Sequence, residues 1–191
     1  DIYRLGLLYG FVMLPVGIDH ILSDALWLVA YRYVRMGLMD KYFLRPLPVL
    51  FQVLAERFQL EGLGELSIAI FMIIFSGINA NITFNFEFVF LLFIVMIFGA
   101  LLITSIKIFF ASFAFKLKAT GPALQIAYNF KSYVRFPMGI YPKFIQVLLY
   151  FVIPFGFVIF LPVQTLLFGS YNAYLLGLCI VGISLLFFGL S

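Results

Sequence analysis

Charge is scarce in this sequence. Asp, Glu, Lys and Arg make up 10% of its 191 residues, against 65% hydrophobic residues. A water-soluble domain devotes about a quarter of its residues to charge in order to cover its core. A soluble globular fold is therefore excluded, and the solvent of this chain is lipid. Cys, His and Trp occur once each. The lone Cys179 allows no disulfide framework within the chain, and His20 lies too far from it, without clustered partners, to suggest a structural zinc site. There is no Gly-x-x-x-x-Gly-Lys-(Ser/Thr) run to cradle a nucleotide, no Gly-x-Ser-x-Gly elbow and no His-Glu-x-x-His pair. No enzymatic activity, cofactor or metal is expected on this chain. The 12 basic and 8 acidic residues do not signal nucleic acid either, since that requires cations clustered on a wetted face.

What the sequence has in abundance is long apolar runs. Crossing a hydrocarbon core of about 30 Å takes roughly 20 apolar residues in helical form. The stretches 66–86, 88–106 and 144–191 carry no charge, and the last is long enough for two crossings. Pro162, Gln164, Gly169, Ser170 and Asn172 supply a turn within it. A further span precedes these if Asp19, His20 and Asp24 face protein, water or an interface. The expectation is an all-α, polytopic membrane protein forming one domain over 1–191. Its five spans lie near 4–30, 64–82, 87–115, 144–161 and 173–191.

The basic residues orient these spans, because loops rich in Lys and Arg stay in the cytoplasm. Arg32, Arg35, Lys41, Arg45 and Arg57 fall in one loop, 31–62, and Lys116, Lys118, Lys131, Arg135 and Lys143 in another, 116–143. Two spans separate the loops, so both lie on one side. Asp1 is then expected outside and Ser191 near the cytoplasm. An odd number of crossings with an outward start and no initiating Met leads to the expectation that the chain has been trimmed or that an upstream span is not included.

The loop 31–62 is too long for a tight connection. Pro46 and Pro48 break any helix descending from the membrane. Beyond them Leu50, Phe51, Leu54 and Phe58 recur at helical spacing with Gln52, Glu56, Arg57 and Gln59 between, the pattern of a short amphipathic helix on the membrane surface. Such a helix can anchor the loop in the interface or dock a cytoplasmic partner.

The run Arg35-Met-Gly-Leu-Met-Asp40-Lys-Tyr-Phe-Leu-Arg45-Pro46, continuing to Phe51-Gln52-Val-Leu-Ala, resembles the Gly-x-x-Asp-(Lys/Arg)…Arg-Pro signature of a bacterial family of type 2 ABC export permeases. A second block, Phe136-Pro137-Met-Gly-Ile140-Tyr141-Pro142 followed by Ile153-Pro154, is similar to that family's Tyr-Pro-x-x-Ile-Tyr segment, with Phe136 in place of Tyr. The resemblance covers nearly the whole chain. It implies a six-span permease with a cytoplasmic N-terminus, of which this chain lacks the first span, located in the bacterial cytoplasmic membrane. It also implies two partner ATPase subunits that bind ATP and Mg, a second permease chain that is a paralogue or a copy of this one, and export of an amphiphile. Under it Asp40, Lys41, Arg45, Pro46, Phe51, Gln52, Glu56 and Arg57 form the coupling region that touches the ATPase. Anchoring to the membrane surface, or pairing within the loop such as Asp40 with Arg45, is the structural alternative for these charges.

Ionisable residues near the membrane are costly and so mark candidate conduit positions. Lys107 lies nine residues before Lys116, about 14 Å along a helix. Snorkelling to the interface and lining an inner cavity both suit it, the first being the commoner arrangement. Asp19 and His20 are adjacent and point about 100° apart on a helix, which favours a polar cluster over an acid/base pair. Glu87 opens the third span, and Glu65 the second, where a carboxylate suits a helix N-terminus. The many Phe residues of 88–115 suit lipid contact or an amphiphile-binding wall. Asn81-Ile82-Thr83 matches a glycosylation sequon by chance. Two other functions stand against an ABC permease: an ion-coupled transporter in which Asp19, His20 or Lys107 titrates, and a scaffold without transport.

Overall fold

A computed structural model describes residues 2–117, 120–130, 133, 136, 138–169 and 171–191. Among these the chain is helical and has no β-strand. Helix α1, Ile2–Ser23, is the centre of the bundle: Leu7, Phe11 and Leu14 on it have essentially no exposed surface. A break at Asp24 leads into α2, Ala25–Leu28, and a π-helical turn, Val29–Tyr33. The short α3, Asp40–Phe43, and α4, Val49–Glu56, follow. Helix α5, Glu61–Asn79, returns along α1, and α6, Phe86–Leu117, runs beside α1 on its other flank.

The contact of α1 with α5 is a close one because glycines form it. A Cβ on Gly62 would meet the carbonyl oxygen of Gly17 at 2.5 Å, and one on Gly10 would meet Ile73 at 2.6 Å. Small residues let helix backbones approach in lipid, where no hydrophobic force drives them together. Against α6, Pro15 of α1 fills the space left by Gly99. The hairpin between α5 and α6 turns through Asn81 at a positive φ of 54°, and the side chain of Asn85 accepts the amide of Phe88 at 3.1 Å to start α6.

The segments after α6 depart from the pattern of alternating spans and loops. Helix α7, Gly121–Asn129, packs on α6, and its Leu124, Ala127 and Tyr128 join the main core together with Met138. The stretch 116–143, expected as a loop, thus folds partly into the bundle; of its basic residues Lys118, Lys131 and Arg135 lie outside the described residues, as do Asp1, Pro137 and Ser170. The span expected at 144–161 is bent within itself. Helix α8, Lys143–Val147, continues as a π-helix to Val152, and a second piece runs from Gly156 through α9, Leu161–Phe168, at 86° to the first. Pro154 sits at the corner, where its missing N–H prevents an unbroken helix. Gly169, with φ of 61°, closes α9, and Asn172 caps α10, Ala173–Leu190, by accepting the amides of Tyr174 and Leu175. The turn expected over 162–172 thus falls at the end of that stretch, between α9 and α10, with Pro162 inside α9.

Among the described residues four helices, α1, α5, α6 and α10, are long and apolar enough to cross a membrane, and the bent pair makes a fifth if counted as one span. Helix α6 has 32 residues, about 48 Å at 1.5 Å each, so it outreaches a hydrocarbon core of about 30 Å. The surplus lies at the end where α2, α3 and α4 gather. There a second, smaller core of Leu26, Val29, Tyr33, Met39, Tyr42, Val53 and Ala111 seals the loop onto the bundle.

Candidate functional site

The loop after α2 is a folded module held by polar contacts. Gln52, buried on α4, donates its amide to the carbonyls of Tyr42 at 3.0 Å and Leu47 at 2.7 Å. This fixes the turn around Pro46 and Pro48, where the backbone has few partners of its own. Lys41 on α3 reaches Glu56 at the end of α4 at 2.6 Å, and the Tyr42 hydroxyl donates to the same carboxylate. The Lys41 ammonium lies over the rings of Tyr42 and Tyr33, 4.6 and 5.2 Å from their centroids. Burial raises the Tyr42 phenol to about 12, with Glu56 adding to the effect. For Glu56 burial pushes upward, but the hydrogen bonds from Lys41 and Tyr42 outweigh it and hold the carboxyl below its ordinary value. The hydrogen bonds to Glu56 and Tyr42 raise Lys41.

The eight loop residues singled out from the sequence therefore divide into two sets. Lys41, Gln52 and Glu56 hold the module together, Gln52 from a buried position and the pair of Lys41 with Glu56 at its surface. Asp40, Arg45, Pro46, Phe51 and Arg57 are exposed, and Phe51 stands among the exposed Phe43, Leu44 and Leu47. The ion pair of the loop is Lys41 with Glu56, not Asp40 with Arg45.

A second constellation lies where this module meets the bundle. The reading of Lys107 as a snorkelling residue is corrected: its side chain has no exposed surface. Its Nζ lies 2.7 Å from Asp19 Oδ2 on α1 and 3.7 Å from Asp24 Oδ1 at the helix break, and it donates to Ser23 Oγ at 3.3 Å. The rings of Tyr128 and Trp27 stand 5.3 and 5.9 Å away. Asp19 Oδ1 accepts from Ser23 and, at 3.2 Å, from Thr104, one turn before Lys107 on α6. A bare ammonium in such a place would cost several kcal/mol, and the carboxylates and aromatic faces offset this.

His20 does not pair with Asp19. Its Nδ1 lies 2.8 Å from Glu65 on α5 and its Nε2 2.6 Å from the Tyr128 hydroxyl on α7, so it joins two elements that flank α1. Glu65 thus has a partner across the seam in addition to its place near a helix start. Glu87 is exposed in the first turn of α6, remote from this cluster. Asp24, Ser23, Thr104 and Tyr128 were not marked as site residues by the sequence. Ser23, four residues after Asp19, carried the one local sign; the rest depend on how helices pack.

A cavity of about 920 Å³ opens between the first turns of α1 and the C-terminal half of α5. Tyr3, Tyr9, Phe75, Tyr133, Phe136 and Tyr141 line it with Ser76, so its wall is aromatic with hydroxyls at intervals.

The architecture is that of a multi-pass helical membrane protein whose loop module is docked on the end of the span bundle. The family model described as ABC-2 family transporter protein matches residues 2–191, and the chain belongs to that family. It is a membrane permease of an ABC transporter, and permeases of this family work with ATPase partners. Comparison with curated proteins and with solved structures returns no match.

Proposed function

We propose that this chain is one membrane subunit of an ATP-driven exporter of the bacterial cytoplasmic membrane, which moves an amphiphile outward by alternating access. The observation that carries this is the module of α3 and α4. It is rigidly clasped within itself by Gln52 and by Lys41 with Glu56, packed on α2, and exposes Asp40, Arg45, Phe51 and Arg57. A surface that is stiff inside and open outside suits the transfer of a partner's movement, because force applied to it reaches α2 and α1 without being absorbed. The ATP and Mg belong to two ATPase subunits. The aromatic cavity between α1 and α5 supports a substrate with an apolar body, such as a drug-like compound, peptide or lipid-linked molecule.

The test is substitution of the exposed face in the transporter reconstituted with its ATPase. Asp40→Ala, Arg45→Ala and Phe51→Ala should each reduce substrate-stimulated ATP hydrolysis while leaving the permease inserted and folded. Unchanged coupling in all three variants would remove this face from the ATPase contact. The buried Lys107 and Asp19, with the half-buried His20 nearby, favour one second reading, an ion-coupled transporter. Transport driven by a proton gradient with no ATPase present would select it.

A further inference from the structure

Asp19 and Asp24 are five residues apart, and in an unbroken α-helix their side chains would point about 140° apart. Both nevertheless face the single ammonium of Lys107, because the chain breaks between α1 and α2 at Asp24. The hydrogen-bond pattern beyond the break is irregular: the Trp27 amide reaches back three residues to Asp24, and a π-turn follows at Val29–Tyr33. Such departures from α-geometry mark places where a helix can be rearranged without breaking a full ladder.

The two carboxylates are held differently. Asp19 has no exposed surface and is fixed by Ser23 and Thr104. Asp24 is partly exposed, with Oδ1 toward Lys107 at 3.7 Å and Oδ2 accepting from Gln59 at 2.6 Å. Gln59 is three residues beyond the end of α4. A continuous path therefore runs from the coupling module through Gln59 and Asp24 to an ammonium anchored on the long helix α6. One cation between two carboxylates, one fixed and one tied to a movable loop, has two places to sit.

We propose that Lys107 is a transfer switch: when the coupling module moves, its ammonium, which lies 2.7 Å from Asp19 and 3.7 Å from Asp24, closes on Asp24 and releases Asp19, so that α6 is freed to move against α1. The inference rests on the function proposed above and adds to it the residues that carry movement into the spans. Lys107, Asp19 and Asp24 are positioning residues in this scheme. Tyr128 and Trp27 keep the ammonium off lipid in either place, since their rings already face it.

The experiment uses the complete transporter with its ATPase in proteoliposomes, spin-labelled at the exposed positions Leu22 on α1 and Phe113 on α6. In the parent protein the distribution of label distances should change between the nucleotide-free and vanadate-trapped states. Asp24→Asn should abolish that change and lower transport per ATP hydrolysed by at least about fivefold, the usual size of a coupling effect, whereas Asp24→Glu should keep both. Gln59→Ala, which cuts the tie without touching the buried pair, should also reduce the change. A residue that served only the fold would lower thermal stability without removing the distance change. A parent protein that transports with ATP but shows no such change, or an Asp24→Asn variant that keeps it, overturns the switch and leaves the proposed function standing. If Asp24→Asn does not insert, the result of Gln59→Ala decides: an unaltered distance change overturns the switch. Absence of ATP-driven transport in the parent protein counts against the function itself.

Discussion

A lysine with no exposed surface is held in place by what surrounds it, and Lys107 has two carboxylates and two aromatic rings. Lys107→Met would leave Asp19 and Asp24 without their cation. Breaking a buried pair from one side typically costs about 3–5 kcal/mol, so this variant should unfold in detergent at a markedly lower temperature. Lys107→Arg should recover most of the loss, and thermal melting of the purified chain distinguishes the two. At the loop, the signs of the titrations define a pH window. Glu56 is held below its ordinary value of 4.5, so its contribution is complete above that value and lost as pH falls through the lower, folded one. Lys41 is held above its ordinary value of 10.5, so its contribution is complete below that and lost only as pH rises through the higher, folded one. Hydrogen exchange in α3 and α4 should thus change little from pH 5 to pH 10 once corrected for intrinsic rate, and protection should drop as pH falls below the ordinary value of 4.5. Glu56→Gln should remove that drop. Sequence spacing alone made snorkelling the natural reading of Lys107, because a run of residues reports depth along a helix but not which carboxylates a neighbouring helix brings. The roles of Lys41, Gln52 and Glu56 were hidden for a similar reason: a charge or an amide on a short helix reads as surface until α3 and α4 are seen to face one another.

Among the helices, the seam between α1 and α5 is the least tolerant of change. A Cβ on Gly62 would meet backbone, the Gly17 carbonyl, and backbone cannot turn aside as a side chain does. Gly62→Val should push the helices apart at a cost of about 1–3 kcal/mol, the usual range for overpacking. It should also lengthen the contact of His20 with Glu65, since these two bridge the same seam. A lowered melting temperature together with faster reaction of a cysteine placed at Ala69, which has no exposed surface on that seam, would register both effects. The apolar runs behind α5, α6 and α10 were legible because lipid demands about 20 uncharged residues per crossing. The 86° bend before Gly156 and the inward packing of α7 were not. Pro154 and Pro162 gave equally visible reasons for a corner, but Pro162 sits in the first turn of α9, where its missing N–H is tolerated. In α7 the buried Leu124, Ala127 and Tyr128 are interrupted by Gln125 and Asn129, which read as loop polarity in so short a stretch.

For the molecule as a whole, membership of the ABC-2 family makes the chain a membrane permease of an ABC transporter, and the docked loop module suits the coupling proposed above. The proposed assembly holds two permease chains and two ATPase subunits; the exposed apolar face of α5, with Ile70, Phe71, Ile74 and Ile78, is open to lipid or to a second chain. Intact mass in mild detergent should give that stoichiometry, with a paralogue as the second permease; two copies of this chain alone would refute the pairing with a paralogue. The central claim is that movement enters the spans from an ATPase through α3 and α4. It is tested most directly by purified transporter in sealed proteoliposomes, with ATP supplied on the ATPase side and no ion gradient. The account predicts that an amphiphilic substrate moves away from that side only while ATP is hydrolysed, and that Phe51→Ala slows this movement. Transport by the permease alone under a proton gradient, indifferent to ATP, would contradict it.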